Sequence, residues 1–547
     1  LGEALAVDNK RYEGSLMAKT GMVASAHPLA SLAGIEILRQ GGTAMDACLA
    51  MASVTTVVLP HMCGLGGDAF FIYREASTGE IVALNGSGPG GDLLTIESYG
   101  GKGNILPQDG IISVAVPGAP LVFEMAAKRF GRLGLTKCFQ AGIDIAREGY
   151  PVPPQFSRFV AAEKEKLSKF EETRKIFFAT GGPPKPGSIL RRPDLAATLE
   201  AFASGGAEYI YKGPFYKAFQ KMQKEMGGAF SGEEFPRYLN EPPRFYRPLA
   251  TDYRGYTVLE TAPVSQGFIV LEELNILEAF EMGKTDPAGP EAIHLMIEAK
   301  KLAFSDRNAH AGDPAFSGFE VSRFISKEHS RRLAARISRT AASVQEPSGA
   351  ESGSDTTSFV AWDGEGNVCS FIHSNAFAFG SGITVPGTGV LLNNRAGRSF
   401  VLKPGHPNSL MPGKRPMHTL NCYMVLKDGE PFIAGGTPGG DGQPQWNMQM
   451  LSLMLDHEMG PQAAADFPRW ISLPGTDVIG LGQPFQVQME SRFPEETVKA
   501  LREKGHTVRT VGAWAGGGGA QIIMKDPATG VLLGGSDRRV NGMALGY

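Results

Sequence analysis

The sequence predicts an α+β protein whose sheet is assembled from both ends of the chain. Three observations lead there. Strand-like runs lie near the start and again through the last third, the middle from about 120 to 340 carries helical patterning, and no internal repeat of fixed period is present.

The elements follow in order. Leu29, Leu32, Ile35 and Leu38 recur at helical spacing over residues 28 to 40, and Gly41-Gly42 ends that helix. Residues 44 to 58 are apolar almost all round, which predicts a helix buried on every side. Ala69–Arg74 and Glu80–Leu84 read as two strands joined by a Ser-Thr-Gly turn. A strong helix is expected from Pro290 to Asp306 on Ile293, Met296, Ile297, Leu302 and Phe304. Further strands are expected at Ser358–Asp363, Val368–Ser374, Gly387–Leu392, Asn421–Leu426, Pro431–Gly435, Ala520–Met524 and Val531–Gly534, with a helix at Gln445–His457.

Composition narrows the function classes. A hydrophobic fraction of 42% and a charged fraction of 20% fit a globular protein with a large core. The net charge of −3 gives no electrostatic reason to bind nucleic acid or an anionic membrane. No apolar run is long enough for a transmembrane helix. The start, Leu1-Gly-Glu-Ala-Leu-Ala, lacks the regions of a signal peptide, which favours the cytoplasm. A periplasmic or secreted location is the alternative if that start is already trimmed. Cys48, Cys63, Cys138, Cys369 and Cys422 are scattered without metal-site spacing, so buried free thiols are expected, and no metal or cofactor.

The most informative residues are Thr356-Thr357. They follow Glu346-Pro-Ser-Gly-Ala-Glu-Ser-Gly-Ser-Asp355, a stretch without apolar periodicity, and open a predicted hairpin. Threonine also favours strands in general, so the pair alone is ambiguous. Cleavage between Asp355 and Thr356 would give Thr356 a free α-amine beside its hydroxyl. Such an amine has an unperturbed pKa of about 7.7–8.0, so it can accept the hydroxyl proton near neutrality. A second constellation is Gly435-Gly-Thr-Pro-Gly-Gly-Asp-Gly442, between a strand and a helix. Consecutive N–H groups in such a turn can form an anion-stabilising nest, although an ordinary tight turn has the same composition. Gly64-Leu-Gly-Gly-Asp68 precedes a strand, the wrong order for dinucleotide binding. His61, His373 and His418 lie near these loops, where isolated histidines are usually structural. Arg395 and Arg398 lie in Asn393-Asn-Arg-Ala-Gly-Arg-Ser-Phe400; such arginines usually face solvent, but one turned inward could clamp a carboxylate.

An ordered series of motifs resembles the γ-glutamyltranspeptidases, self-cleaving N-terminal nucleophile hydrolases. It comprises Gly21-Met-Val-Ala-Ser, Gly64-Leu-Gly-Gly-Asp, Val116-Pro-Gly, Gly149-Tyr-Pro-Val152, Glu298-Ala-Lys-Lys-Leu-Ala-Phe-Ser-Asp-Arg307, Asp355-Thr-Thr-Ser-Phe, Gly366-Asn367, Phe379-Gly-Ser-Gly382, Pro412-Gly-Lys-Arg-Pro416 and Gly436-Thr-Pro-Gly-Gly440. The resemblance implies a four-layer αββα sandwich. It implies self-cleavage between Asp355 and Thr356, giving a large segment 1–355 and a small segment 356–547 that share one structural unit. Thr356 is the implied nucleophile, Gly439 and Gly440 the oxyanion pair, and Ser374 the hydroxyl beside the nucleophile.

The departures concern substrate recognition. The arginine that glutathione-active members place before Ala-Pro is missing from Leu84-Asn-Gly-Ser-Gly-Pro89, which leaves Asn85. Their acidic pair is replaced by Ala396-Gly-Arg-Ser-Phe400, and their two serines by His418-Thr419. Their asparagine falls on Ala376, or on Asn375 in a shifted register. Asn85, Asn375, Arg395, Arg398, His418 and Thr419 are therefore the expected substrate contacts, with Arg395 first choice for a carboxylate. The expected substrate is a small amide with an acidic acyl group, with water or an amine as acceptor. Within the family the alternatives are a true γ-glutamyl transferase or glutathione hydrolase, a glutaryl-cephalosporin acylase and an oxamate-type amidohydrolase. Outside enzyme chemistry the alternative is an unprocessed pseudoenzyme with a binding role.

Overall fold

The computed structural model describes residues 9–100, 105–343, 355–476 and 485–547. Except for Asp355, the stretch that precedes Thr356 falls within 344–354 and lies outside the described residues. Two antiparallel sheets lie face to face between helical layers, the four-layer αββα sandwich. The six-stranded sheet runs, edge to edge, Met543–Gly546, Met22–Ser25, Asp355–Trp362, Val368–Ala376, Asp68–Arg74 and Ile81–Gly86. The seven-stranded sheet runs Leu16–Ala18, Leu532–Ser536, Gln521–Lys525, Glu430–Gly436, Tyr423–Lys427, Tyr256–Glu260 and Leu249–Tyr253. Both sheets contain strands from before and after Thr356.

Period-2 alternation explains the layering, because successive side chains of a strand face opposite sides. In the six-stranded sheet, Val23, Phe71, Tyr73, Phe359, Ala361 and Phe371 pack with the helices Pro28–Arg39, Ala44–Val58 and Ala119–Phe130. Their neighbours Met22, Ala24, Phe70, Ile72, Val360, Trp362 and Ile372 turn the other way and meet Met424, Ala434 and Ile523 of the second sheet. That sheet's opposite face, with Val258, Tyr423, Val425, Ile433 and Ile522, packs on Gly267–Leu277, Pro290–His310 and Gly442–Leu455. The helix Ala44–Val58 is buried along its whole length and starts from a Thr43/Asp46 capping box.

Some expectations need correction. Gly387–Leu392 is not a strand: Gly387 and Gly389 take φ of +70° and +66°, and only isolated bridges remain, Thr384 to Leu391 and Gly66 to Leu392. The helical middle also contains the hairpin Leu249–Tyr253/Tyr256–Glu260, which forms an edge of the seven-stranded sheet. All five cysteines are free and buried. Among the described residues no helix is long and apolar enough to cross a membrane.

Candidate active site

Thr356 sits near the start of Asp355–Trp362, fully buried. Its strand pairs with Val368–Ala376 in regular register from Trp362 to Thr357, and the register then shifts before Asp355 pairs with Ala376. That irregularity, with Ala376 at φ +82°, brings Ser374 against the nucleophile candidate. The Thr356 hydroxyl donates to Ser374 Oγ at 2.9 Å, and the Ala376 N–H donates to the same oxygen at 2.9 Å.

From Ser374 a connected chain of polar groups crosses to the glycine loop. Arg395, fully buried, directs Nη2 to Ser374 Oγ at 3.5 Å, Nη1 to Thr419 Oγ1 at 3.4 Å and Nε to Asp68 Oδ2 at 3.2 Å. Asp68 faces Ser374 across the β ladder, which explains why its carboxylate meets this arginine. Gln266 then donates Nε2 to the Thr419 carbonyl at 2.9 Å and to the Gly440 carbonyl at 3.0 Å. The glycine loop is thereby tied to the segment that holds Arg395.

Gly439 and Gly440 follow the strand Glu430–Gly436 with φ of +137° and +53°, a backbone that side chains resist. A Cβ at Gly439 would lie 2.0 Å from Trp446 Cζ3. The loop is anchored below by Ser358 Oγ donating to the Gly436 carbonyl at 3.0 Å, from the strand that carries Thr356. Small residues and sheet-to-sheet hydrogen bonds therefore bring two parts of the chain into register.

His418 donates Nε2–H to Asp68 Oδ2 at 2.8 Å and accepts the Leu420 N–H on Nδ1 at 3.2 Å, which fixes its tautomer. Burial, reinforced by Arg395 and opposed by Asp68, pushes its pKa down to about 3, so the ring is neutral at pH 7. His373 gives Nε2–H to the Gly64 carbonyl, and burial lowers it to about 4. His61 is stacked among Phe156, Phe159 and Phe379, and burial, then His27, lowers it to about 3. His61 and His373 are core histidines.

Of the other expected contacts, Arg398 is buried, donates Nη1 to the Ala376 carbonyl at 3.1 Å and stacks over Phe377. Unlike most loop arginines, Arg395 and Arg398 both point inward. Asn375 is fully buried, and neither atom of its amide has a hydrogen-bond partner among the described residues. Asn85 stands apart from the chain of contacts, with its amide engaged by the Ala262 carbonyl at 2.6 Å and the Tyr246 hydroxyl at 2.5 Å. Lys414-Arg415 orders a neighbouring turn, with Arg415 paired to Asp313 at 2.8 Å.

Sequence reasoning missed Asp68 and Gln266. Asp68 was visible in the Gly64–Asp68 motif, but its partner lies more than 300 residues away. Spacing also shows no metal-ligand cluster, yet the fold gathers two sets able to hold a cation: His294, Glu298 and His506, and Glu272, Asp306 and His329. Neither shares a residue with the contacts around Thr356. In the first set the imidazoles already bond each other at 2.8 Å and Lys301 occupies Glu298 at 2.7 Å.

A family model described as Gamma-glutamyltranspeptidase matches residues 30–547. The chain belongs to this family. It is an N-terminal nucleophile hydrolase by that membership. The glutathione hydrolase-like YwrD proenzyme of Bacillus subtilis is 37% identical, over 97% of this chain and 99% of its own. The oxamate amidohydrolase proenzyme of Klebsiella pneumoniae is 33% identical, over 96% of this chain and 98% of its own. The crystal structure of a cephalosporin acylase from Bacillus halodurans superposes with a TM-score of 0.89 at 36% identity, covering 98% of this chain and 97% of that one. The fold and family expectations are therefore met across nearly the whole length.

Proposed function

We propose that this chain is a self-processing amidase in which Thr356 forms the acyl-enzyme. The observation that carries the reading is the buried Thr356 hydroxyl, 2.9 Å from Ser374 Oγ, at the irregular end of a ladder. Self-cleavage begins with Thr356 Oγ1 attacking the Asp355 carbonyl. Acyl transfer from nitrogen to oxygen leaves an ester and a free Thr356 amine, and water releases the Asp355 carboxylate. The segments then contain 355 and 547 − 355 = 192 residues.

In turnover the freed amine takes the Thr356 hydroxyl proton as the oxygen attacks the amide carbonyl. The N–H groups around Gly439 and Gly440 stabilise the oxyanion, and the amine returns the proton to the leaving nitrogen. Water resolves the ester by the same route, or an amine replaces water. Ser374 holds the Thr356 oxygen in place.

The acyl group carries a carboxylate and no ammonium. Arg395 and Arg398 supply two buried guanidiniums where glutathione-active members have acidic groups, and Asn375 adds an amide able to donate or accept. A site with this lining favours a carboxylate over an ammonium, because an ammonium there would sit near two like charges. The names of two relatives, an oxamate amidohydrolase and a cephalosporin acylase, are consistent with acyl groups of this kind. Hydrolysis of glutaryl-, succinyl- and γ-glutamyl-anilides and of oxamate, blanked with Thr356→Ala, tests the assignment. A dicarboxylic half-amide should turn over at least tenfold faster than the γ-glutamyl-anilide. Equal rates would remove the specificity argument while leaving the nucleophile untouched.

A further inference from the structure

Away from Thr356 a cavity of about 630 Å³ opens between the helix Glu171–Phe177 and the start of Pro193–Gly205. That size is within the range of about 300–1,000 Å³ typical of small-molecule sites. Its walls are mixed. Ile176, Phe177 and Leu195 supply apolar surface, and Lys185, Arg191 and Arg192 supply cations. Of the two acids in the lining, Glu172 is taken up by Lys175 at 2.7 Å, and Asp194 sits in the first turn of Pro193–Gly205.

Arg192 is the unusual member. It is only 4% exposed, yet among the described residues no carboxylate lies within ion-pair distance of it, and its Nε has no hydrogen-bond partner. Two carbonyls receive its other nitrogens: Thr56 at 3.3 Å and Gly389 at 2.6 Å. Burial lowers its pKa to about 10, with only Tyr150 and Cys63 acting to raise it. Buried charges are ordinarily paired, because an isolated one is costly to desolvate. A guanidinium left with two carbonyls and the face of Phe177, 5.9 Å away, in the lining of a cavity has the chemistry of a site awaiting an anion.

We propose that this cavity is a second binding site, separate from the Thr356 pocket, for a carboxylate carried on an apolar body. The carboxylate pairs with Arg192, and the body lies along Phe177, Ile176 and Leu195. The cavity also touches Thr384 and Gly389, in the loop that runs on to Arg395, so an occupant would rest against the segment that carries Arg395.

Titration calorimetry with decanoate, and with decanol as the uncharged probe of equal length, tests the site. The expected result is one decanoate per chain, with decanol at least tenfold weaker. Binding should weaken at least tenfold both in Arg192→Met and in Ile176→Trp, which fills the cavity while keeping Arg192. If Arg192→Met does not fold, Ile176→Trp alone decides. Absence of decanoate binding at millimolar concentration overturns the proposal. So does decanol binding as tightly as decanoate, or wild-type affinity in a folded variant of either position.

Discussion

Two parts of the proposed site around Thr356 are built by different means. The proposed bond-breaking part, with Thr356, Ser374, Gly439 and Gly440, is made of hydroxyls and backbone set by strand register and by two glycines at positive φ. The proposed recognition part is made of buried charges and an imidazole: Arg395 and His418 share Asp68, and Arg398 bonds the Ala376 carbonyl. As proposed above, this chain carries the nucleophile and glycine elements of its family and differs from glutathione-active members in the charged set.

Substitutions can break that contrast. On the bond-breaking side, Gly439→Ala must move Trp446 and force a side chain into a left-handed backbone. Its expected loss is roughly 10²–10³ in kcat, the scale of one lost oxyanion donor. Gly436→Ala, whose Cβ would meet nothing closer than Ser358 Cβ at 3.6 Å, should keep most activity. Steady-state rates of the two variants check whether the loop or glycine content in general matters.

On the recognition side, Asp68→Asn removes the carboxylate that Arg395 and His418 share. Breaking a buried pair from one partner costs about 3–5 kcal/mol, so a denaturant midpoint should fall markedly. KM for an acidic half-amide should rise as Arg395 loses its position. An unchanged midpoint would mean that the network carries no structural energy.

Ser374→Ala is a smaller step. One hydrogen bond to Thr356 is lost, worth about 0.5–1.5 kcal/mol, so activity should fall roughly tenfold or less. Ser374→Thr keeps the hydroxyl and should recover much of that loss. The smallest effect is on pH dependence. His418 and His373 have folded pKa values of about 3 and 4, below the ordinary 6.5. The unfolded chain therefore binds more protons between those values, and stability rises with pH across that window. Their contribution is complete above about pH 6.5 and is lost progressively on acidification. Unfolding midpoints measured from pH 7 to pH 4.5 should fall, and His373→Gln should make the fall shallower.

Much of this was legible in the sequence where signals are local. The loop-to-strand change at Thr356, the glycine run at 435–442 and the helix at 44–58 each announce themselves within a dozen residues. The strands at 249–260 were hidden inside a helical middle, although Arg254-Gly255 forms a two-residue turn with φ of +55° and +81°. Gly387–Leu392 misled in the opposite direction, since its apolar residues line a loop whose glycines prevent a ladder. Arg395 was identified, but its partner Asp68 was not, because the two meet only through the pairing of Asp68–Arg74 with Val368–Ala376. Gln266 carries no signal of its own. Its role exists only when the carbonyls of Thr419 and Gly440 are brought together.

The central claim is that Thr356 acts as nucleophile through an amine released by self-cleavage. Intact-mass measurement on purified wild type and Thr356→Ala, paired with amidase assays on the same samples, tests it most directly. Wild type should resolve into two fragments, the second beginning at Thr356, with activity rising in step with cleavage. Thr356→Ala should remain one inactive chain. A wild-type chain that stays whole while fully active would contradict the account.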